Sequence, residues 1–307
     1  MDGGNRKTVL ITGALGFVGR AAREALRGAD YRVISVDLHP EAGCDQLNCD
    51  ITDLAQVHDL FCSERVDAIV HLAAILPTAA QRDPVRATQV NVEGSLNLLQ
   101  AAKEFGVPRF VFGSSLSVYG TYAAEHVVTE CDRTAPEDVY GAAKVYVERL
   151  GEAYRHANGL GFVSLRIGRV VGPGARSSTS AWRSRIFECM NNGPSEIAIP
   201  YAQTERILVV HVEDVARMLL ELVRADEIRH TVYNAACESV IVGDLKSELE
   251  RRNPQVHLSL GGEAVRGNPR RVDWSRFAEE FGFKIVPILD GLRTGIGKAV
   301  QVPLIDG

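Results

Sequence analysis

The chain has no long apolar run, no block of basic residues, no close cysteine pair and no low-complexity segment, and each absence removes a class of function. Its apolar stretches are strand-sized, well short of the ~20 residues that a membrane helix needs, so no membrane contact is expected. With a net charge of −5 and its lysines and arginines dispersed, it lacks the electrostatic footprint of a nucleic-acid binder. The six cysteines, Cys44, Cys49, Cys62, Cys131, Cys189 and Cys237, form no CxxC pair and stand at no histidine-ligand spacing. That argues against a disulfide framework or a bound metal and for reduced thiols. The opening MDGGNRKTVLI enters a strand with no apolar signal region, and a cytoplasmic location is expected. A length of 307 residues suits one large α/β domain, or one domain with a smaller lobe.

What is present begins at residues 8–19, TVLITGALGFVG. A short β-rich run ends in Gly13, Gly16 and Gly19, and an amphipathic segment from Phe17 to Arg27 follows. Strand, glycine turn and helix in that order suit a dinucleotide, whose pyrophosphate approaches main-chain N–H groups at a helix N-terminus where a Cβ would obstruct it. A second strand, Arg32 to Val36, ends in Asp37, 18 residues past Gly19, where a carboxylate accepts a hydrogen bond from an adenosine ribose. A 2′-phosphate about 4 Å from that carboxylate would be repelled by roughly 4 kcal/mol per charge pair at an effective dielectric near 20, so NAD is expected over NADP.

The remaining elements alternate. A short third strand is expected at Asp50-Ile51, a helix from the N-cap Asp53, and a strand from Asp67 to Leu72 that opens into the loop HLAAILPTAAQRDP. One long helix is expected over 84–105, a strand over 109–112 running into GSSLSVYG, and a helix through VYGAAKVYVERLGEAYRHA. A strand at 162–167 leads to the Gly/Ser-rich loop GRVVGPGARSSTS, and ILVVHV (207–212) ends at Glu213-Asp214, which cap a helix. Such alternation predicts a Rossmann-type doubly wound parallel sheet with a smaller C-terminal lobe. The expected division is a dinucleotide-binding domain over 1–170 and a mainly substrate-binding lobe over 171–307, with the chain recrossing near 205–240.

Tyr140 and Lys144 lie four apart on one helix and share a face. A tyrosine with a pKa of roughly 10 is only about 0.1% ionised at neutral pH. A neighbouring ammonium and a positive nicotinamide ring favour the phenolate, and a fall of about 3 units needs roughly 4 kcal/mol. Ser115, at the end of a strand, can hydrogen-bond the substrate oxygen while Tyr140 takes its proton. Ser114 reads as a turn serine bonded to backbone.

The glycine triplet, Asp37, NVEG around Asn91, SSLSVYG and YGAAK occur in the order of a known superfamily. With HVEDVA (211–216), VYNAA (232–236) and VDWSRFAEEFGF (272–283), the chain resembles the extended short-chain dehydrogenases/reductases, the NAD-dependent epimerase/dehydratase family. The resemblance implies Gly13, Gly16, Phe17 and Gly19 at the pyrophosphate, Asp37 at the ribose, Asp50 and Ile51 at the adenine, and Ala73 and Ala74 near the cofactor phosphates. It gives Asn91 a structural role and makes Ser115, Tyr140 and Lys144 the catalytic triad, the last two also touching the cofactor. It further implies a homodimer built on the helices at 84–105 and 140–157.

Departures from the family pattern narrow the reaction. Dehydratases carry an Asp-Glu pair where this chain has Leu116 and Ser117, so 4,6-dehydration is not expected. Nucleotide-sugar enzymes place an asparagine where this chain has Arg169, and an arginine where it has Ile207, one step from Arg206. Arg169, Arg176, Arg183 and Arg185 are candidates for gripping a carboxylate or phosphate on a smaller substrate. His211 and Asp214 read as a core histidine and a helix cap. GLRTGIGKA (291–299) imitates a phosphate loop, but Leu292 stands at its required glycine and Ala299 follows the lysine. The expected activity is reversible hydride transfer between NAD and a secondary hydroxyl of a sugar acid or polyol. The alternatives are a nucleotide-sugar 4-epimerase that retains its NAD and a non-catalytic NAD sensor.

Overall fold

The computed structural model describes residues 6–39, 46–174, 181–189 and 195–290. The first half runs β1 (Thr8–Thr12), α1 (Phe17–Gly28), β2 (Arg32–Asp37), β3 (Leu47–Asn48), α2 (Leu54–Ser63), β4 (Ala68–His71), α3 (Pro77–Arg82), α4 (Pro84–Thr88), α5 (Gly94–Glu104), β5 (Arg109–Ser115), α6 (Val139–Asn158) and β6 (Gly161–Ile167). The second half runs β7 (Arg169–Val171), α7 (Trp182–Glu188), β8 (Ser195–Tyr201), β9 (Arg206–His211), α8 (Val212–Arg224), β10 (Val232–Asn234), β11 (Glu238–Ile241), α9 (Val242–Arg252), β12 (Val256–Glu263) and α10 (Ser275–Phe281).

Seven strands form one parallel sheet in the order β10-β6-β5-β4-β1-β2-β3. Its inner strands are apolar on both faces, as a sheet covered on both sides requires. One face buries Val9, Ile11, Val70 and Val111 with Ala22 and Leu26 of α1 and Met218, Leu219 and Leu222 of α8. The other buries Leu10, Ile69, Phe110 and Phe112 with Leu60 of α2, Leu98 and Leu99 of α5 and Val147 of α6. Strand order reverses between β1 and β4, so a crevice opens above their C-terminal ends.

The lobe has its own core of Ile197, Ile199, Ile207, Val209, Leu245, Leu249, Val256 and Leu258. It holds a three-stranded sheet, β11-β9-β7, and a parallel pair, β12-β8. The chain returns from the lobe through α8 to place β10 at the edge of the large sheet beside β6.

Asp53 caps α2 by accepting hydrogen bonds from the N–H groups of Ala55 and Gln56. The third strand lies at Leu47–Asn48, while Asp50 and Ile51 form the turn after it, because the Asp50 carboxylate binds Thr52 N and Oγ1 and bends the chain. The helix expected over 84–105 is interrupted by a π turn at Gln89–Glu93. The loop after β4 contains α3, started by Pro77, and the Gly/Ser-rich loop begins as β7 in register with β9. At α8 the cap is His211, whose Nδ1 accepts the Glu213 N–H, with Glu213 and Asp214 in the first turn.

Candidate active site

The turn after β1 is closed by two tight approaches. Gly13 has φ +67°, and a Cβ there would sit 2.7 Å from Ala73 N. A Cβ on Gly19 would sit 2.1 Å from Gly13 O, so the helix can pack on the turn only with glycine at this position. Gly16 is the N-cap of α1, which has no side-chain cap and no acidic residue in its first turn. An uncapped, acid-free helix start is what a pyrophosphate fits, and Phe17 supplies its first helical N–H.

Asp37 closes the far side. Its carboxylate accepts hydrogen bonds from Leu15 N at 3.0 Å and Leu38 N at 2.9 Å, which fix it at the end of β2 facing the glycine turn. Asp50 is held by Arg86 at 3.0 Å, and its pKa is lowered by Thr52 and Arg86 although burial opposes them. Ile51 is buried, and its carbonyl accepts from Asn97.

Ala73 and Ala74 begin the loop after β4. Ser95 Oγ donates to Asn91 O and therefore accepts from His71 Nε2, which leaves His71 Nδ1 to accept from Thr12 Oγ1. Burial holds the His71 pKa down to about 3, so this chain of bonds is neutral and fixed. Thr12 Oγ1 in turn accepts from Ala73 N. Asn91, in the π turn, clasps the same loop by accepting from Ile75 N at 2.7 Å and donating to Ile75 O at 2.9 Å.

Ser115 ends β5, and Tyr140 and Lys144 occupy the first two turns of α6, started by Asp138, which accepts from Gly141 N. The Ser115 hydroxyl accepts from Ser117 N and donates to Ser117 Oγ, each at 3.1 Å. Tyr140 is 9% exposed and Lys144 3%. The lysine Nζ donates to Gly113 O at 2.7 Å, 4.6 Å from the Phe112 ring centroid and 5.4 Å from that of Tyr140. Burial pushes the tyrosine up to about 12, against a Ser115 hydrogen bond that favours the phenolate. Burial pulls the lysine down to about 7, against Glu148, which raises it. The lowered tyrosine pKa expected beside a lysine and a nicotinamide ring is thus not a property of the protein alone: burial raises it, and a further positive charge is needed to bring it down.

On the lobe side, Ser115 pairs with Ile167 across β5 and β6, and Arg169 follows two residues later at the same end of the sheet. Its guanidinium lies 5.5 Å from the Tyr201 ring centroid. Arg183, the second residue of α7, is pulled down to about 10 by burial and by repulsion from Arg169. Arg169 Nη1, Arg183 Nε and His211 Nε2 are buried with no hydrogen-bond partner among the described residues. Among the described residues neither arginine has an ion-pair partner. Because His211 Nδ1 accepts, its Nε2 carries the proton, and all three groups are donors. Arg185 faces outward and reaches Glu196 O, while Arg176 and the 291–299 segment lie outside the described residues. Ile207 is fully buried in the lobe core, and Leu116 is fully buried as well.

Two features escape sequence reasoning. Beneath Lys144, Arg166 donates to both Glu148 oxygens at 2.9 and 2.7 Å, and Ser114 Oγ donates to Glu148 Oε1 at 2.6 Å. Ser114 is therefore a ligand of this ion pair rather than a backbone-bonded turn residue. The available signal was an arginine inside the apolar strand FVSLRI. Asn268, from the segment returning after β12, donates to Ser117 Oγ at 3.5 Å, a contact 151 residues apart with no local signature.

A model of the NAD dependent epimerase/dehydratase family matches residues 9–236. Mitochondrial L-threonine 3-dehydrogenase of Bos taurus is 25% identical over 297 residues, covering 91% of this chain and 79% of that one. Uronate dehydrogenase of Pseudomonas putida is 32% identical over 165 residues, covering 52% of this chain and 60% of its own. The fold matches that of Thermus thermophilus UDP-glucose 4-epimerase, solved with NAD, at a TM-score of 0.78 and 24% identity, covering 93% and 96% of the two chains.

Proposed function

Since the chain belongs to the NAD-dependent epimerase/dehydratase family, an NAD-using enzyme family, we propose that it is a dehydrogenase for the secondary hydroxyl of a small carboxylate-bearing substrate, a sugar acid in the first instance. The observation that carries this reading is the trio of buried donor atoms without a partner among the described residues, Arg169 Nη1, Arg183 Nε and His211 Nε2, of which Arg169 follows β6 at the end of the sheet where Ser115 lies. Two guanidinium groups that repel each other in a buried setting call for an anion, and a polyol has none. The buried Ile207 leaves the diphosphate arginine of nucleotide-sugar enzymes without a counterpart, which favours a dehydrogenase over a UDP-glucose 4-epimerase-like enzyme.

Gly13, Gly16, Phe17 and Gly19 would hold the pyrophosphate, Asp37 the adenosine ribose, Asp50 and Ile51 the adenine, and Ala73 and Ala74 would border the phosphates. When bound, NAD supplies the hydride acceptor and a positive ring close to Tyr140. Tyr140 accepts the substrate hydroxyl proton as general base. Lys144 stabilises the phenolate, and Ser115 turns its proton from Ser117 Oγ to the substrate oxygen, its own lone pair remaining occupied by Ser117 N. Arg169 and Arg183 hold the carboxylate and fix which carbon faces the ring.

The test is NADH formation, followed by absorbance, across D-glucuronate, D-galacturonate, L-threonine, a polyol and UDP-glucose. Turnover confined to carboxylates supports the reading. Turnover of the polyol alone, or interconversion of UDP-glucose without net NADH, rejects it, and NAD binding with no turnover anywhere revives the sensor. A homodimer is part of the proposal: Val139 and Tyr146 expose 36% and 55% of their surface on α6. A concentration-independent monomer mass in solution would exclude it. No helix among the described residues is long and apolar enough to cross a membrane. The proposed compartment is the cytoplasm, tested by fractionating cells.

A further inference from the structure

The buried ion pair beneath Lys144 stands apart from the residues that would touch substrate. Glu148 lies one helical turn after Lys144 on the same face of α6, and both are nearly inaccessible to solvent. Its carboxylate is fixed from three directions: Arg166 Nε to Oε1, Arg166 Nη2 to Oε2, and Ser114 Oγ to Oε1. Arg166 is fixed as well, donating through Nη1 to the Tyr119 hydroxyl at 2.7 Å and lying 4.8 Å from that ring centroid. Tyr119 is tied onward to Asn234 of β10 at 2.8 Å. The arrangement spans α6, β5, β6 and β10, and its members are buried within the fold.

We propose that Glu148 is a positioning residue that keeps Lys144 charged, and that Arg166, by gripping Glu148, limits how strongly it does so. The pair together sets the charge delivered to Tyr140. The arrangement is unequal: Glu148 shares a helix with Lys144 one turn away and is the charge that raises the lysine, whereas Arg166 lies on β6 and meets Glu148 from the sheet. A buried pair kept only for stability has no advantage over apolar residues of the same volume. The other titratable groups facing Lys144 are Tyr140 on its own helix and His71 from β4. His71 is neutral throughout the accessible range, and no further charged group from β4, β5 or β6 faces the lysine among the described residues.

This inference rests on the catalytic reading of Lys144, but its test requires neither substrate nor NAD. The protein is labelled with [13Cε]lysine, the Lys144 signal is assigned by its loss in K144R, and its titration is followed by NMR. In E148Q the Lys144 transition moves down by about one to two pH units, since an anion one turn away is removed. In R166M it moves up by about half a unit to one unit, and E148Q/R166M falls between the two single variants. Opposite shifts from the two halves of one ion pair are what a merely structural role would not produce. A folded E148Q with an unmoved or raised Lys144 transition overturns the proposal, as does a downward shift in R166M. Where R166M does not fold, R166K serves: it keeps the charge and leaves the transition within about 0.3 units, and a shift as large as that of E148Q contradicts the proposal. If the proposed activity fails while these shifts appear, the electrostatic assignment stands and the substrate reading falls.

Discussion

Glu148 and Arg166, on the sheet side of the crevice, satisfy each other with two hydrogen bonds, whereas Arg169 and Arg183, on the lobe side, present buried N–H groups with no acceptor among the described residues. Glu148 and Arg166 are buried and Arg169 and Arg183 partly so, and the difference lies in what completes them. The first is closed by the fold itself and therefore serves the same purpose in every state of the protein. The second is an unfinished half of an ion pair, and a buried, unneutralised charge is stable only at the expense of the rest of the lobe. In the proposed reading the sheet side carries the proton transfer and the lobe side the choice of substrate.

Substitutions that break this comparison can be ranked by expected effect. Tyr140→Phe removes the proton acceptor on the sheet side and should lower kcat by about a thousandfold with NAD affinity retained, measured by NADH formation and by nucleotide titration. Normal turnover in that variant would end the proposed mechanism. Arg183→Ala should raise KM for a carboxylate substrate so that kcat/KM falls roughly 10- to 100-fold. The same variant should leave the NAD dissociation constant unchanged, which separates the two sides of the crevice. Gly19→Ala places a Cβ against Gly13 O and should cost about 1–3 kcal/mol of stability, together with NAD binding, read by thermal melts with and without nucleotide.

A smaller effect concerns pH. The Lys144 pKa is about 7 in the folded chain against 10.5 for a free lysine. Between those values the unfolded chain binds the extra proton, so this group makes the NAD-free protein more stable as pH rises from 7 toward 10.5 and less stable below 7. Lys144→Met should flatten that slope and stabilise the NAD-free protein at pH 7 by ~1–2 kcal/mol while abolishing turnover. Urea melts across pH would show it, and an unchanged slope would contradict the burial argument.

The cofactor half was legible in the sequence because its determinants are local. The glycine turn, Asp37 and the Tyr140-Lys144 spacing each sit within one strand-turn-helix unit, and the parallel order follows from alternation. What was hidden depends on contacts between distant segments. The β12-β8 pair joins residues about sixty apart in parallel, and no periodicity in either strand announces a partner. The π turn that sets Asn91 on Ile75 lies within an unbroken helical pattern. Arg169 and Arg183 were visible as candidates, but that no carboxylate among the described residues pairs with them is legible only in the folded lobe. The same holds for the apolar burial that keeps Tyr140 near 12 and Lys144 near 7.

The most direct test of the dehydrogenase reading is cofactor retention. The protein is purified without added nucleotide, washed extensively and denatured, and released NAD and NADH are quantified. A dehydrogenase exchanges its cofactor in every cycle, so the account predicts a nearly empty protein that binds NAD reversibly. Near-stoichiometric nucleotide in the denatured sample would contradict it and assign the chain to the epimerases, which keep their hydride carrier through the cycle.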